Sequence, residues 1–449
     1  MDLIKHIVLL PVICLVIFAC DKSSGGLGVN FNIEKKTLSN GLTLVMVEDH
    51  SVPVVSYQTW FRVGSVDESP GTTGSSHLFE HLMFKGTPRY GPKQFFNELE
   101  SRGSEVNAFT TRDYTVYYET VTPNLLEKVM DMESDRMANL KIDEEALKSE
   151  RMVVFEERRL RTENAPEGKM QEALWLLAFR YHSYRWPVIG TPADLMGLTS
   201  DMLSQFFSRY YQPANAAIVL VGDFDGARAF QSIKKYYGKI PARAIPRREV
   251  PHEPEQEEER RLILRDKVAS EKFMQAYHIS SAFDKDSYAL DVLANILFEG
   301  TSSRAYRKLV DELDIAAGVY GSAYTPTYPG LFIMNCTMKG DLPTQTAEDA
   351  LARLLNDVAE HGVTSEELSV SIRQLTVQLL DSIRTPYGLG QMIGTVQSIF
   401  NDPVRFKSDL AKYMSVSATD IKNVARKYLT PNNRTVVVLV PENKKAKLR

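Results

Sequence analysis

The chain has 449 residues, of which 43% are hydrophobic and 24% are charged, so it has enough apolar material for two or three soluble domains. Its formal net charge is -4 and its isoelectric point is about 6.1. This balance lacks the basic surplus of a nucleic-acid-binding surface. The 25 glycines are scattered, and no glycine-rich phosphate loop stands out among them. Composition therefore predicts a large soluble protein without a nucleic-acid partner.

The first 20 residues differ in composition from the rest of the chain. Lys5 precedes an apolar run over residues 7–19. This run is shorter than the roughly 20 residues that a membrane-spanning helix needs, and it predicts a signal peptide over residues 1–19. The ending Ile17-Phe18-Ala19-Cys20 resembles a bacterial lipobox, which implies a lipid anchor at Cys20. A plain signal peptide and a retained N-terminal anchor are the alternatives, and the location expected is the periplasmic face of a bacterial cell envelope.

The predicted elements of the first half begin with a hairpin. Asn40-Gly41 separates two strand-like runs and is a strong hairpin signal, and a third strand follows at Val54–Val63. Helical periodicity predicts helices at about 75–86, 92–102, 123–139 and 143–164. Further strands are predicted at Glu105–Thr110, Thr115–Thr120 and Ala216–Val221.

The second half shows a similar mixture of elements. Strands are predicted at Phe273–Ser281, Gly330–Thr337 and Thr435–Val440. Helices are predicted at Tyr288–Phe298, Ser303–Leu313, 346–360, 365–382 and 415–428. Strands and helices that mix without strict alternation favour an α+β fold, in which each half is a mixed, mainly antiparallel sheet packed with helices.

The order of these elements divides the chain into two halves. Residues 241–262 carry four prolines and a dense charge run, so they predict a linker. A tether over 20–34 would lead to an N-terminal domain over 35–240, and a C-terminal domain would cover 263–449. The strands that close the two halves correspond in position, which indicates a weak internal duplication. Two unrelated α+β domains are the alternative.

Two of the eight histidines stand four residues apart in the pentapeptide His77-Leu78-Phe79-Glu80-His81. On a helix this spacing separates the two imidazoles by only about 40° around the axis, so they can share one ion. Glu80 lies on the same side. Imidazoles suit zinc, and a nearby carboxylate can take a proton from a water that zinc activates. The alternative is a solvated helix face that carries two unrelated histidines.

A catalytic zinc site needs a third protein ligand, and the helix predicted at 143–164 offers several. Glu150 and Glu157 are two turns apart and share a face, which would suit a ligand and a supporting carboxylate. Periodicity does not choose among the carboxylates of this helix, which are Glu144, Glu145, Glu150, Glu156, Glu157 and Glu163.

The pentapeptide and its flanks, Gly74-Ser75-Ser76 before it and Met83-Phe84-Lys85-Gly86-Thr87 after it, resemble the inverted zinc motif of the pitrilysin/insulinase family. The layout is closest to that of the bacterial processing-peptidase-like members. The resemblance implies one Zn²⁺ ion per chain, bound by His77, His81 and Glu157. It also implies that Glu80 is the catalytic base and that Glu150 supports the metal ligands.

Later segments match the family in the same order. Gly103 and Asn107-Ala108-Phe109-Thr110 resemble the edge strand that pairs with substrate, which implies a substrate-binding role for Asn107, Ala108 and Phe109. Further matches are Gly190-Thr191, Tyr210-Tyr211-Gln212-Pro213-Ala214-Asn215 and Val221-Gly222-Asp223. The resemblance implies two halves that face each other as a clamshell, and a zinc-dependent endopeptidase that hydrolyses extended or unfolded peptides.

One difference from the family pattern concerns the partners that we expect for this chain. Single-chain family members place an Arg and a Tyr of the C-terminal half over the substrate, whereas residues 315–339 contain no arginine and keep Tyr320, Tyr324 and Tyr328. In two-chain members the assisting pair comes from a related subunit that lacks the zinc motif. We therefore expect a homodimer, or a heterodimer with such a chain. The competing functions are a non-catalytic peptide-binding lipoprotein and a processing peptidase that is dedicated to one substrate.

Overall fold

The computed structural model describes residues 31–92 and 94–442. The predicted signal peptide, Cys20 and the first part of the predicted tether lie outside the described residues. Within the described ranges, no helix combines the length and the apolar character that crossing a bilayer requires.

The first half contains a set of strands and a larger set of helices. Its strands are β1 (Glu34–Thr37), β2 (Thr43–Glu48), β3 (Val55–Phe61), β4 (Glu105–Thr110), β5 (Thr115–Val121) and β6 (Ala216–Gly222). Its helices are α1 (Ser75–Leu82), α2 (Gln94–Glu100), α3 (Leu126–Asn139), α4 (Glu144–Arg158), α5 (Pro166–Ala178), α6 (Pro192–Gly197), α7 (Ser200–Tyr210) and α8 (Gly226–Tyr237).

The second half has a similar composition of elements. Its strands are β7 (Arg260–Asp266), β8 (Lys272–His278), β9 (Ala316–Tyr324), β10 (Leu331–Met338) and β11 (Arg434–Pro441). Its helices are α9 (Asp286–Phe298), α10 (Arg304–Tyr306), α11 (Thr344–His361), α12 (Ser365–Ser382), α13 (Pro386–Phe400), α14 (Phe406–Ser415) and α15 (Ala418–Tyr428). A π-helical turn, Arg307–Glu312, continues α10, and another, Arg159–Glu163, continues α4.

The two sheets of the described chain share one topology. The first has the order β1-β2-β6-β3-β5-β4, and the second has the order β7-β11-β8-β10-β9. In each sheet one parallel pair, β2 with β6 or β7 with β11, is followed by antiparallel pairs only. Strand β4 of the first half therefore corresponds to β9 of the second, and both lie at a sheet edge. The prediction of an α+β chain with two similar halves is confirmed.

Each half contributes a helix to the core of the other. Helix α13 of the second half packs on the first sheet, where Ile393 joins a buried cluster with Trp60. Helix α5 of the first half packs on the second sheet, where Leu174 joins a cluster with Leu439. The remaining faces of the two sheets are covered by helices of their own half. Because apolar burial supplies most of the stabilisation, this exchange makes the stability of each half depend on the other.

Charged side chains hold the segment between the halves against the first half of the chain. Three successive backbone N–H groups, those of residues 180–182, donate to the carboxylate of Glu253 at 2.8–3.0 Å. Arg248 donates to Asp67 with two nitrogens, at 2.8 and 2.9 Å. Strand β7 begins at Arg260, inside the predicted linker 241–262, and pairs in parallel with β11. Arg260 is buried, whereas residues 261–263 are exposed. Residues 241–259 form neither helix nor strand.

The contact of α13 with the first sheet generates a test of stability. A Cβ at Gly394 would lie 2.0 Å from Cε2 of the buried Trp60. We expect Gly394→Ala to lower the free energy of unfolding by about 1–3 kcal/mol, since one of the two groups has to move in a packed core. Gly197→Ala is the matched control, because a Cβ there meets nothing within 4 Å. Urea denaturation of both variants measures the effect, and equal stabilities would contradict this account of the contact.

Candidate metal centre

The start of α1 is fixed by backbone packing and by a buried carboxylate. Gly74 precedes the helix with φ 88°, and a Cβ there would lie 2.9 Å from the Cα of Gly190. Glu68 accepts the N–H groups of Gly74 and Ser76, both at 2.7 Å. These donors belong to the first turn, which has no intrahelical partner for them. Burial raises the pKa of Glu68 to about 8, although the two N–H groups favour its ionised form.

Helix α4 brings a glutamate to the histidines of α1. Nε2 of His77 lies 3.6 Å, and Nε2 of His81 3.2 Å, from Oε2 of Glu157. His77 is buried, and the other two side chains are partly exposed. One ligand atom from each of the three residues lies within 4.8 Å of the others, and no other such group of three occurs among the described residues. Chain positions 77, 81 and 157 therefore converge on one point.

The donor set and the spacing fit a tetrahedral zinc ion. Two imidazoles and one carboxylate form a usual ligand set of catalytic zinc, which keeps its fourth position open. Bonds of about 2.05 Å at tetrahedral angles place neighbouring donor atoms roughly 3.3 Å apart. The two histidine–glutamate distances, 3.6 and 3.2 Å, lie on either side of that value. The residues therefore fit the ion that the sequence motif implies.

The electrostatics of the three groups show how closely they interact. Hydrogen bonds to His77 and His81 lower the pKa of Glu157 well below its usual value. Burial by itself lowers the pKa of His81, but hydrogen bonds to Glu150 and Glu157 outweigh it and raise that pKa to about 9. These contacts favour the protonated imidazole of His81, and a bound metal ion would have to displace that proton. Arg161 also lies 2.7 Å from the second oxygen of Glu157.

Glu150 contacts the opposite side of one histidine. Its Oε2 lies 3.5 Å from Nδ1 of His81, and its Oε1 pairs with Lys85. Burial raises the pKa of Glu150, but the bonds to His81 and Lys85 together lower it below its usual value. A carboxylate at the outer nitrogen of a ligating histidine fixes the ring and its tautomer. No such partner contacts His77, whose Nδ1 is buried without a hydrogen bond to any described residue.

Glu80 lies between two cavities that follow the edge strand β4. The first cavity, of about 330 Å³, also includes His77, Phe109 and Thr110 among its lining residues. The second, of about 300 Å³, includes Asn107 and Ala108, together with aromatic rings. Among the described strands, β4 is paired only with β5, so its other edge is open to a further strand.

The open edge is partly covered by one of its own side chains. The N–H of Ala108 donates to the side-chain oxygen of Asn107 at 2.8 Å. Asn107 is exposed, and Ala108 and Phe109 are partly buried. The structure therefore places the three predicted substrate-binding residues on this edge, beside Glu80.

Sequence reasoning missed two residues that position the site. Glu68 has no periodic or motif signal, because its role depends on how a loop folds back onto α1. Arg158 follows Glu157 directly and donates to the carbonyl of Gly190 at 2.9 Å and to Glu172 at 2.8 Å. The only feature that could have indicated Arg158 is that it is a single buried arginine on the inner face of a charged helix.

Comparisons with known proteins agree with this arrangement. The family described as insulinase, peptidase family M16, matches residues 43–192, which include the group His77, His81 and Glu157. The peptidase M16 inactive domain matches residues 197–375. The chain therefore belongs to the pitrilysin/insulinase peptidase family, M16.

Individual relatives extend over most of the chain. A zinc protease of Helicobacter pylori, PqqE, is 28% identical over 415 residues, which cover 91% of this chain and 93% of that protein. A probable mitochondrial-processing peptidase beta subunit of Arabidopsis thaliana is 24% identical and covers 90% of this chain and 78% of that one. The crystal structure of a Helicobacter pylori protease superposes with a TM-score of 0.88 at 27% identity, and covers 92% of this chain and 100% of that chain. The chain is thus similar to metallopeptidases over both halves.

The cap at the start of α1 gives the second prediction. At a pH above 8, where Glu68 is ionised, we expect Glu68→Gln to lower the free energy of unfolding by about 1–3 kcal/mol, because an amide offers one acceptor oxygen to two buried N–H donors and the carboxylate offers two. Metal affinity should fall in parallel, since α1 carries both histidines. Denaturant titration and competition with a chromogenic chelator measure the two effects. Glu127→Gln, which removes an exposed contact with Lys235, is the control. A loss no larger than that of the control would exclude the capping role.

Proposed function

We propose that this chain is a zinc-dependent endopeptidase that hydrolyses extended or unfolded peptides. The observation that carries the proposal is the convergence of His77, His81 and Glu157 beside an unpaired strand edge and the free carboxylate of Glu80. The family supports peptide hydrolysis as the reaction. The alternative is that Glu157 belongs only to a solvated acidic helix face. That alternative does not explain why its carboxylate lies 3.6 and 3.2 Å from the two imidazoles.

One zinc ion per chain would be bound by His77, His81 and Glu157. Such an ion supplies a water of lowered pKa and polarises the scissile carbonyl. The protein contributes the orientation of its ligands. Glu150 fixes the ring of His81, while Lys85 neutralises Glu150 and holds it in place.

Glu80 is proposed to transfer the proton of the attacking water. Its carboxylate accepts a proton from the attacking water and then donates it to the leaving amine nitrogen. Its place on α1, one residue before His81, keeps it near the ligands without making it one of the three converging groups. Its position between the two cavities puts it where a bound peptide crosses the site.

The peptide is proposed to bind as an added strand along β4. Backbone pairing at a sheet edge gives affinity without requiring one sequence, which suits unfolded substrates. The side chain of Asn107 now occupies the N–H of Ala108, so it has to turn aside when a substrate carbonyl takes its place. Phe109 lies one residue further along the same edge and lines the first cavity.

A second chain is proposed to complete the site. Tyr324 packs against Trp175, and Tyr328 packs against His182, so both rings are engaged within the chain. Tyr320 is 69% exposed. With no arginine in residues 315–339, the assisting pair would come from a second copy or from a related chain without the zinc motif. The lipobox-like ending at Cys20 supports a lipid anchor and a periplasmic location for this assembly.

Separate removal of base and ligand tests the assignment of roles. We expect Glu80→Gln to retain one zinc ion per chain and to lose peptide hydrolysis by several orders of magnitude, because only the proton acceptor is removed. We expect Glu157→Gln and His77→Ala to lose both the metal and the activity. Atomic absorption and a quenched-fluorescence peptide assay measure these properties. An active Glu80→Gln enzyme would refute the base, and a metal-free Glu80→Gln enzyme would make it a ligand.

Dilution tests the need for a second chain. If the site is completed by a second copy, specific activity should fall as the concentration passes below the dimer dissociation constant. Sedimentation velocity under the same conditions reports the oligomeric state. Full activity in a purified monomer would refute the requirement for a second chain, whereas a monomer that gains activity from a related chain would support the heterodimer.

A further inference from the structure

The cavity beside His77 and Glu80 has an unusual set of charges. Besides those two residues, its wall is formed by β4, by the first turns of α5 and by the loop 185–189. Three arginines line it, and these are Arg112, Arg161 and Arg185. A cavity next to the reacting groups is where the side chains of a bound peptide are held.

Ion pairs within the protein account for only part of this charge. Arg161 pairs with Glu157 at 2.7 Å, and Glu172 of the cavity wall pairs with Arg158 at 2.8 Å. Neither Arg112 nor Arg185 has a carboxylate of any described residue within 4.0 Å. Glu80 is the one lining carboxylate without a cation at that distance among the described residues. The cavity wall therefore carries two arginines without a close carboxylate and one glutamate without a close cation, as far as the described residues show.

The bonds of the two free guanidinium groups go to neutral atoms. Nε of Arg112 donates to the carbonyl of Tyr184 at 3.2 Å, and Nη1 of Arg185 donates to the carbonyl of Arg180 at 2.5 Å. Arg112 also stacks on Trp175, with its guanidinium carbon 3.5 Å from the ring centroid. Burial lowers the pKa of Arg112, as expected of a cation without a close counter-charge.

Two buried N–H groups of the same wall have no acceptor in the part of the chain that the structure describes. Nε of Arg185 and Nε1 of Trp175 are both buried without a hydrogen bond to any described residue. The Trp175 side chain is 3% exposed and lines the cavity. A buried donor without an acceptor is destabilising, so most buried N–H groups in proteins are hydrogen-bonded. An acceptor with negative charge would satisfy both the donors and the free arginines.

We propose that this cavity is a subsite for a carboxylate of the peptide substrate, bound by Arg185 and the indole N–H of Trp175. The proposal rests on the proposed peptidase function and names its substrate class, peptides with an acidic residue near the scissile bond. Arg112 is a weaker candidate for direct contact, because it is held between Trp175 and Tyr184. The guanidinium group of Arg112 adds positive charge against the face of the Trp175 ring.

The direction of the added strand decides which substrate residue enters the cavity. The cavity lies beside Phe109 and Thr110, at the C-terminal end of β4. Antiparallel pairing is the more stable arrangement, and it places the N-terminal part of the peptide against that end. The acidic residue therefore belongs on the N-terminal side of the scissile bond.

Binding to an inactive, metal-loaded protein tests the subsite without hydrolysis. The probes are labelled peptides that differ only by Glu or Gln on the N-terminal side of one cleavage site, measured by fluorescence anisotropy with zinc-loaded Glu80→Gln protein. We expect the Glu peptide to bind at least about tenfold more tightly, as for a hydrogen-bonded charge pair. Added Arg185→Gln should abolish this ratio, and added Trp175→Phe, which removes the N–H but keeps a ring, should reduce it.

Matched controls show whether the preference arises in the cavity wall. Arg180→Gln removes a charge from the segment that precedes this loop but not from the cavity wall, so it should leave the ratio unchanged. Unchanged affinity for the Gln peptide shows that the variants remain folded. Peptides with a free or amidated C-terminus distinguish a terminal carboxylate from an acidic side chain. Equal binding of the Glu and Gln peptides, or a ratio that survives Arg185→Gln, would overturn the subsite.

The same peptides keep the two proposals apart. If the wild-type zinc enzyme cleaves the Gln peptide but the binding ratio is one, the subsite fails and the peptidase stands. If neither peptide is cleaved while the ratio persists, the peptidase fails and a carboxylate-binding peptide site stands.

Discussion

The candidate site depends on a short connection between two helices that are distant in the chain. Gly74, at the start of α1, packs backbone to backbone against Gly190. The carbonyl of Gly190 accepts a hydrogen bond from Arg158, which follows Glu157 on α4. The helix that carries both histidines and the helix that carries the glutamate are therefore fixed against the same peptide segment. A metal ion tolerates errors of only a few tenths of an ångström in its ligands, so this contact helps to hold α1 and α4 at the separation that such a site requires.

The second half supports the site although none of its described residues belongs to the group His77, His81 and Glu157. Helix α5 forms part of the cavity wall through Gln171, Glu172 and Trp175, and its apolar face packs on the second sheet. In the opposite direction, helix α13 of the second half covers the first sheet. Residues 197–375, which match the peptidase M16 inactive domain, begin in the first half at the end of α6 and include β7 to β10 of the second sheet. The second sheet packs against the helix that forms this part of the cavity wall.

The sequence predicts those parts whose information is local. Strand β4 is predicted with its observed bounds, and α4 to within a few residues, because alternation and helical periodicity are strong there. The predicted linker 241–262 overlaps β7 at residues 260–262, where two arginines precede the apolar centre of the strand. The site is predicted less evenly. Spacing alone identifies the pair of histidines, whereas family resemblance is needed to choose Glu157 among six glutamates. Glu68 is missed because its partners are backbone groups, which have no sequence signal.

The chemistry of the two cavities suggests how a peptide without a fixed sequence would find its register. Backbone pairing along β4 is the same for every residue, so an added strand could slide in steps of two. The cavities differ, since one is lined by Phe84 and Phe96 and the other carries Arg185 and the indole of Trp175. Because Glu80 lies between them, a peptide with an apolar residue on one side and a carboxylate on the other would be held with one bond over the proposed base. Cleavage preference would then follow from the spacing of two unlike side chains, and not from recognition of a motif.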